Sequence, residues 1–167
     1  MSNEKSCCCS ASSCCNTKSI TPYDKNDKWV TGEIFTLKGS VPVVSTNLHF
    51  KDIFGAWKVR WGIGRMNYKI SPGLYAVGKP DHTSPVLVSA NYKLTFDVLR
   101  KELSGLNCWI LILDTKGINV WCAAGKGTFG TDELVNRISK TGLSEIVSHR
   151  KLVLPQLGAP GVSAHEV

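Results

Sequence analysis

The sharpest hydrophobic pattern lies in the second half of the chain. CWILILD (108–114) is a short, unbroken apolar run that ends on an acid. Such a run predicts a strand buried on both faces of a helix-covered sheet. PVLVSANY (85–92) opens with another strand. Thr95 then reads as a helix N-cap with Asp97 in the first turn, and Phe96, Leu99 and Leu103 follow at helical spacing. Gly105 can close that helix. DTKG (114–117) fits a type I turn, and INVW (118–121) is read as a returning strand. Thr131, Asp132 and Glu133 start a second helix with an inner face of Leu134, Val135 and Ile138, and Gly142 with Leu143 caps it. EIV (145–147) and KLVL (151–154) predict one or two further strands.

The first half is less periodic. VPVV (41–44) and LYAV (74–77) predict short strands between Gly and Pro breaks. Residues 1–28 are polar and without period, which predicts a disordered tail. Residues 29–167 then form one α/β domain, a Rossmann-like sheet with flanking helices, mixed through the hairpin expected at 108–121. The chain stops after GAPGVSAHEV with no closing element, as expected of a truncated domain.

Composition narrows the picture. The chain has 167 residues, 43% of them hydrophobic, and a net charge of +7. It has no run near the ~20 apolar residues that span a bilayer and no apolar signal core, so a cytoplasmic location is expected. Part of the positive excess lies between Lys51 and Lys69, where Lys58, Arg60 and Arg65 stand among aromatics. That stretch is either a solvated basic surface or a face for an anionic membrane, an acidic partner or nucleic acid. No nucleic-acid motif accompanies it.

Five of the seven cysteines, Cys7, Cys8, Cys9, Cys14 and Cys15, crowd the first fifteen residues. That spacing is no disulfide framework. It is a soft-metal ligand cluster, with Hg(II) the thiophilic candidate, or an incidental tail. Cys108 begins a buried strand and is read as structural. The four histidines show no paired-ligand spacing.

Two nucleotide motifs fail. GKGT (125–128) lacks the phosphate-loop glycine, since position 120 is valine, and WGIGRMN (61–67) has Asn67 at the third glycine position of a dinucleotide fingerprint. NVWCAAGK (119–126) is more informative. It would lie at the ligand-binding end of the sheet, ahead of the Thr131 helix. Ala123, Ala124, Gly125 and Gly127 let the backbone approach a broad ligand, and Trp121 offers a flat wall. Cys122 is a small buried hydrophobe or a metal ligand. One cysteine cannot hold zinc, which wants about four ligands, but it can be one axial donor to a metal already held by a macrocycle.

NVWCAAGK closely resembles the signature of the corrinoid protein family of microbial mercury methylation (HgcA). WGIGRMNY, PGLYAVGKPDHTSPVLVSANYKLTFDVLR, WILILDTKGINVWCAAGKGTFGT and KLVLPQLGAPGVSAHEV extend the resemblance over roughly residues 40 to 167. Related domains occur in the corrinoid iron–sulfur protein of the acetyl-CoA pathway. The resemblance implies a Rossmann-like corrinoid-binding domain in which residues 119–126 form a cap helix or loop beneath the ring, overriding part of the INVW strand. It implies Cys122 as the lower axial ligand of cobalt and the catalytic residue. The implied activity is methyl transfer from corrinoid cobalt to Hg(II), giving methylmercury.

Asn119, Val120 and Trp121 would then shape the cap. Lys126 would reach a corrin amide or the nucleotide-tail phosphate, or simply be solvated, and Thr128 would bond the ring edge or shape the loop. Ser89, Asn91 and Tyr92 follow a strand and are weaker contact candidates. The implied partners are a ferredoxin-like protein with two iron–sulfur clusters and a methyl-donor methyltransferase. A membrane region outside this chain would anchor the full-length protein at the inner membrane, with this domain on the cytoplasmic side. Two competing readings stand beside this one: a methyl carrier of acetyl-CoA-pathway type, which needs no thiolate below cobalt, and a non-enzymatic soft-metal-binding module.

Overall fold

The computed structural model describes residues 19–24, 27–64 and 67–167. The head cysteines Cys7, Cys8, Cys9, Cys14 and Cys15, and Arg65, lie outside them. Six strands form one mixed sheet: β1 (Val30–Thr36), β2 (Gly39–Val44), β3 (Gly73–Val77), β4 (Val86–Ala90), β5 (Cys108–Leu113) and β6 (Leu152–Val153). Their order is β1-β2-β3-β5-β4-β6. β4 runs parallel to β5 and to β6, whereas β3 is antiparallel to β5 and β1 to β2. The α/β class holds, but the mixing comes from β2 and β3, which run parallel to each other and opposite to β4, β5 and β6. The expected hairpin of 108–121 does not form.

β5 is buried throughout, as its unbroken apolar run requires. Side chains alternate across a strand, so β5 feeds two cores. Trp109, Leu111 and Leu113 join one with Leu74, Ala76, Phe129 and Leu134. Cys108, Ile110 and Ile112 join the other with Trp29, Tyr75, Val77 and Phe96. Helices α3 (Val120–Gly125), α4 (Thr131–Thr141) and α5 (Leu143–Ile146) supply the first core, and α2 (Lys93–Glu102) the second.

Described residues join the sheet before residue 29, where the tail was expected to end. Thr21 is buried, and its hydroxyl donates to the Leu74 carbonyl at 2.7 Å and accepts the Leu74 N–H at 2.8 Å. Helix α2 starts at Lys93 with Tyr92 as N-cap, so Thr95 lies inside the helix. Its buried face still carries Phe96, and Gly105 follows the helix end with φ +81°. α4 begins at Thr131 and ends on Gly142 at φ +62°, with Leu143 buried beyond it. Val135, however, is exposed rather than inward. EIV is mostly the short helix α5, which restarts directly after Gly142. KLVL supplies the two-residue β6.

The pattern gave no sign of helix α1 (Phe50–Arg60). It is tied to α2 by a buried ionic cluster. Arg100, fully buried, donates to Asp97 at 2.8 Å and to Asp52 of α1 at 2.7 Å. Its remaining nitrogen donates to the carbonyls of Ser45 and Asn47 at 2.5 and 2.8 Å. Lys93 bonds both carboxylates at 2.7–2.9 Å. Every buried charge in the cluster therefore has a partner, the condition under which buried ions persist.

Candidate functional site

β4 and β5 are parallel, so their C-terminal ends open on the same edge of the sheet. The chain leaves β5 through Asp114–Asn119 and enters α3. INVW is therefore not a strand. Asn119 is extended (φ −66°, ψ 160°) and caps α3, its side-chain oxygen accepting the Cys122 N–H at 3.0 Å. Asparagine is a preferred N-cap because it satisfies one of the unpaired N–H groups of the first turn.

The loop before α3 is held from two sides. From β4, the Asn91 side-chain oxygen accepts Thr115 N–H at 3.1 Å, Thr115 Oγ1–H at 2.9 Å and Gly117 N–H at 2.9 Å. From α4, Glu133 accepts the Asp114 N–H at 2.9 Å and is itself paired with Arg137 at 2.6 Å. Lys116 sits at φ +60°, which rules out the expected type I turn, whose third residue needs φ near −90°. Asp114 accepts the Lys116 N–H at 3.1 Å and pairs with its ammonium at 2.8 Å. Burial opposes ionisation of Asp114, but the Lys116 bonds and charge hold its carboxyl below the usual range.

α3 divides its residues cleanly. Val120 and Ala123 are buried in the first core, Ala124 packs partly against it, and Trp121, Cys122 and Gly125 face outward. Trp121 is 68% exposed and Cys122 is an exposed free thiol. The buried-hydrophobe reading of Cys122 is thereby ruled out. Cys108 is the buried cysteine, and burial pushes its thiol up to about 11.

Behind α3, the Ala123 carbonyl accepts the N–H groups of Thr128 and Phe129 at 2.9 and 3.1 Å and the Thr128 hydroxyl at 3.3 Å. Thr128 thus shapes the loop. Phe129 is fully buried beneath α3, and the 3-10 turn Ala159–Gly161 closes over it. A methyl group at Gly158 would lie 2.6 Å from the Phe129 ring and 2.8 Å from Val120. The C-terminal segment is therefore a support for α3.

Lys126 and Gly127 are exposed beside the cysteine. Ser89, Asn91 and Tyr92 are buried. Asn91 acts on the site through the loop, and Tyr92 caps α2. Sequence reading missed Asp114, Thr115, Phe129 and Glu133 as supports. The acid ending the apolar run of β5 was the available signal for the first.

The platform suits a broad, flat ligand. A methyl group added at Gly125 or Gly127 would meet nothing within 4 Å, so the space over this end of α3 is open. Gly127 also needs its freedom, at φ +72°. The exposed thiol, the indole wall and the small residues fit a macrocycle that takes one axial donor from the protein. No group of three or more metal-ligating side chains occurs among the described residues.

Fold and site together define an α/β domain with a short, cysteine-bearing helix exposed at the C-terminal ends of its parallel strands. The chain belongs to the family CdhD, CO dehydrogenase/acetyl-CoA synthase delta subunit, whose pattern matches residues 64–166. Relatives include the acetyl-CoA decarbonylase/synthase complex subunit gamma of Methanocaldococcus jannaschii, 37% identical over 92 residues, 54% of this chain and 19% of that protein. Subunit gamma 2 of Methanosarcina thermophila is 39% identical over 90 residues, 52% of this chain and 19% of that protein. The Archaeoglobus fulgidus gamma subunit is 33% identical over 97 residues, 57% of this chain and 21% of that protein. The chain thus spans about a fifth of the length of these relatives. Among the described residues, no helix is long and apolar enough to cross a membrane.

Proposed function

We propose that this chain is a corrinoid-binding methyl-transfer domain in which the Cys122 thiolate would hold the cobalt and Hg(II) would accept the methyl group. The observation that carries this reading is the outward thiol of Cys122 on a capped helix braced from three sides. When bound, the corrinoid supplies a cobalt-held methyl group that can leave with both bonding electrons. The chain's own residues do the rest. Cys122 offers a thiolate, a strong electron donor that favours such a departure, as thiolate does in ligated haem. Hg(II) is soft and electron-poor and accepts carbon in that form. Asn119 fixes the turn bearing Cys122, Trp121 walls one side, and Gly125 and Gly127 leave room for the ring. Lys126 stands free to meet a ring amide or phosphate.

In this reading the partners would be a ferredoxin-like protein with two iron–sulfur clusters, as the source of electrons, and a separate methyl-donor methyltransferase, with the domain in the cytoplasm. In the same reading the head cysteines Cys7, Cys8, Cys9, Cys14 and Cys15 would capture Hg(II), and the corrinoid domain includes the segment from Ser19 onward that joins the sheet ahead of residue 29.

The names of the relatives favour a second reading, a methyl carrier within an acetyl-CoA decarbonylase/synthase type of complex. A carrier makes no use of a thiolate donor. The visible spectrum of the cobalamin-reconstituted chain, beside that of Cys122→Ala, separates the two. A corrinoid band shifted in the wild type and restored in the alanine variant supports axial ligation and the mercury reading. Equal binding with identical spectra removes the role of Cys122 and leaves the carrier. Failure of both proteins to bind cobalamin overturns the corrinoid reading for this chain.

A further inference from the structure

Helix α1 is amphipathic in the wrong direction for a helix that only packs on its own protein. Its buried residues are Asp52 and Val59. Its outward face carries Phe50, Phe54, Trp57 and Trp61, exposed by 81, 46, 55 and 72%. At about 100° per residue these four fall on one narrow stripe, opposite Asp52 and Val59. Successive rings lie against one another at centroid distances of 6.5, 6.2 and 5.3 Å, so they form a continuous ladder along the helix. Exposed Ile53 widens the stripe, and exposed Ile63 extends it past the helix end.

Cations flank this stripe. Lys51 and Lys58 lie along one side and Arg60 along the other, all exposed, with the Lys58 ammonium 5.0 Å from the centre of the Phe54 ring. The one acid of the helix, Asp52, is turned inward onto Lys93 and Arg100. After Asp52 the sequence holds no acidic residue until Asp81. The outward face of α1 is therefore apolar and aromatic at its centre, positive at its margins and without an acid of its own; Glu102 of α2, beside Lys101, borders it at the Trp57 and Arg60 edge. Tryptophan and phenylalanine beside lysine and arginine are the side chains that settle at the boundary of lipid headgroups and acyl chains, where rings enter and cations stay with the phosphates.

We propose that α1 is a peripheral membrane-docking helix that lies flat on an anionic lipid surface, with its aromatic stripe in the interface and Lys51, Lys58 and Arg60 among the headgroups. The charge pattern selects an anionic bilayer over a neutral one. A flat, helix-long ladder of rings with cations on both margins matches a surface better than a pocketed protein. α1 packs on α2, while Val120 and Ala123 of α3 belong to the core on the other face of the sheet, so docking does not use Cys122.

The test is co-sedimentation of the chain with phosphatidylcholine vesicles, with and without phosphatidylglycerol. The wild type should bind the anionic vesicles in a salt-sensitive manner and the neutral ones far less. Lys51→Gln, Lys58→Gln and Arg60→Gln should each weaken anionic binding by about fivefold. Trp57→Ala with Trp61→Ala should abolish it while leaving the thermal melt in place, since both rings are exposed. Cys122→Ala should bind as the wild type does. No binding to anionic vesicles, or binding that survives both sets of changes, overturns the proposal. So does self-association that disappears in the Trp57→Ala, Trp61→Ala protein while vesicles are ignored, since the stripe would then be a protein interface.

Discussion

The side-chain oxygen of Asn119 accepts the backbone N–H of Cys122 at 3.0 Å, so the residue that starts α3 also fixes the turn bearing the exposed thiol. Removing an N-cap of this kind costs about 0.5–2 kcal/mol. Asn119→Ala should lower stability within that range in urea unfolding, and Asn119→Asp should restore it. In the cobalamin-reconstituted protein the alanine variant should keep corrinoid binding but lose part of the cysteine-dependent spectral shift. An unchanged shift would show that the cap does not position Cys122.

Asn91 should matter more. Its side-chain oxygen takes three donors from the loop entering α3. Asn91→Leu leaves the Gly117 N–H without its acceptor and removes the Asn91–Asp114 bond, while Thr115 keeps the carbonyls of Leu113 and Ile118; a buried donor left without a partner costs about 1–3 kcal/mol. Even with partial relaxation the loss should exceed that of Asn119→Ala. Comparison of the two urea midpoints checks the order, and an Asn91 variant more stable than the Asn119 one would contradict the loop's dependence on β4.

Much of the α/β frame was legible because strand and helix periods differ and the central elements obey them. β4, β5 and α4 lie where apolar runs and caps predict. The local pattern reads INVW as a strand because Ile118, Val120 and Trp121 favour strands, whereas the family resemblance implies a helix or loop at 119–126; the Asn119 cap and the burial of Val120 and Ala123 at helical spacing make it a helix. α1 was invisible for the opposite reason. An inner face is sought among apolar residues, and here the inner face carries Asp52 while the apolar stripe points out. The roles of Asn91 and Glu133 depend on contacts across 24 and 19 residues, which no local pattern encodes. Cys122 was readable as a candidate from its neighbours, but its exposure followed only from which side of α3 packs inward.

Acid should destabilise the fold through the α1–α2 cluster. Burial opposes ionisation of Asp52, but Lys93, the His49 N–H and Arg100 outweigh it and hold the carboxyl below its ordinary range. A carboxylate lowered in the folded state contributes stability above its unfolded value, about 3.9, and loses it as pH falls through the folded value. Asp114 acts in the same direction. The thermal midpoint should therefore change little from about pH 7 to 5 and fall steeply below about pH 4. Asp52→Asn should be less stable at neutral pH and show a shallower acid slope. A parallel acid slope in that variant would assign the acid sensitivity to other carboxylates.

The support of α3 by the C-terminal segment predicts a stability effect far from the cysteine in sequence. Gly158→Ala would press a methyl group against Phe129 and Val120. Overpacking of this kind costs about 1–3 kcal/mol. Gly32→Ala, where an added methyl group meets nothing within 4 Å, is the matched control and should be close to neutral. Chemical denaturation of the two variants checks the contrast.

Cysteine reactivity should separate the two body thiols. Alkylation proceeds through the thiolate and needs access. Cys122 is exposed, whereas Cys108 is buried in the second core with its thiol pushed up to about 11. Limiting iodoacetamide at neutral pH, read by peptide mass, should label Cys122 in the folded chain and Cys108 only after urea unfolding. Reconstitution with cobalamin should then protect Cys122, because a thiol engaged as an axial donor is not free to attack carbon. Protection of Cys122 without any spectral shift would mean that the ring covers the platform without taking the sulfur. Labelling at an undiminished rate would place the corrinoid elsewhere and leave Cys122 as an exposed thiol with another use.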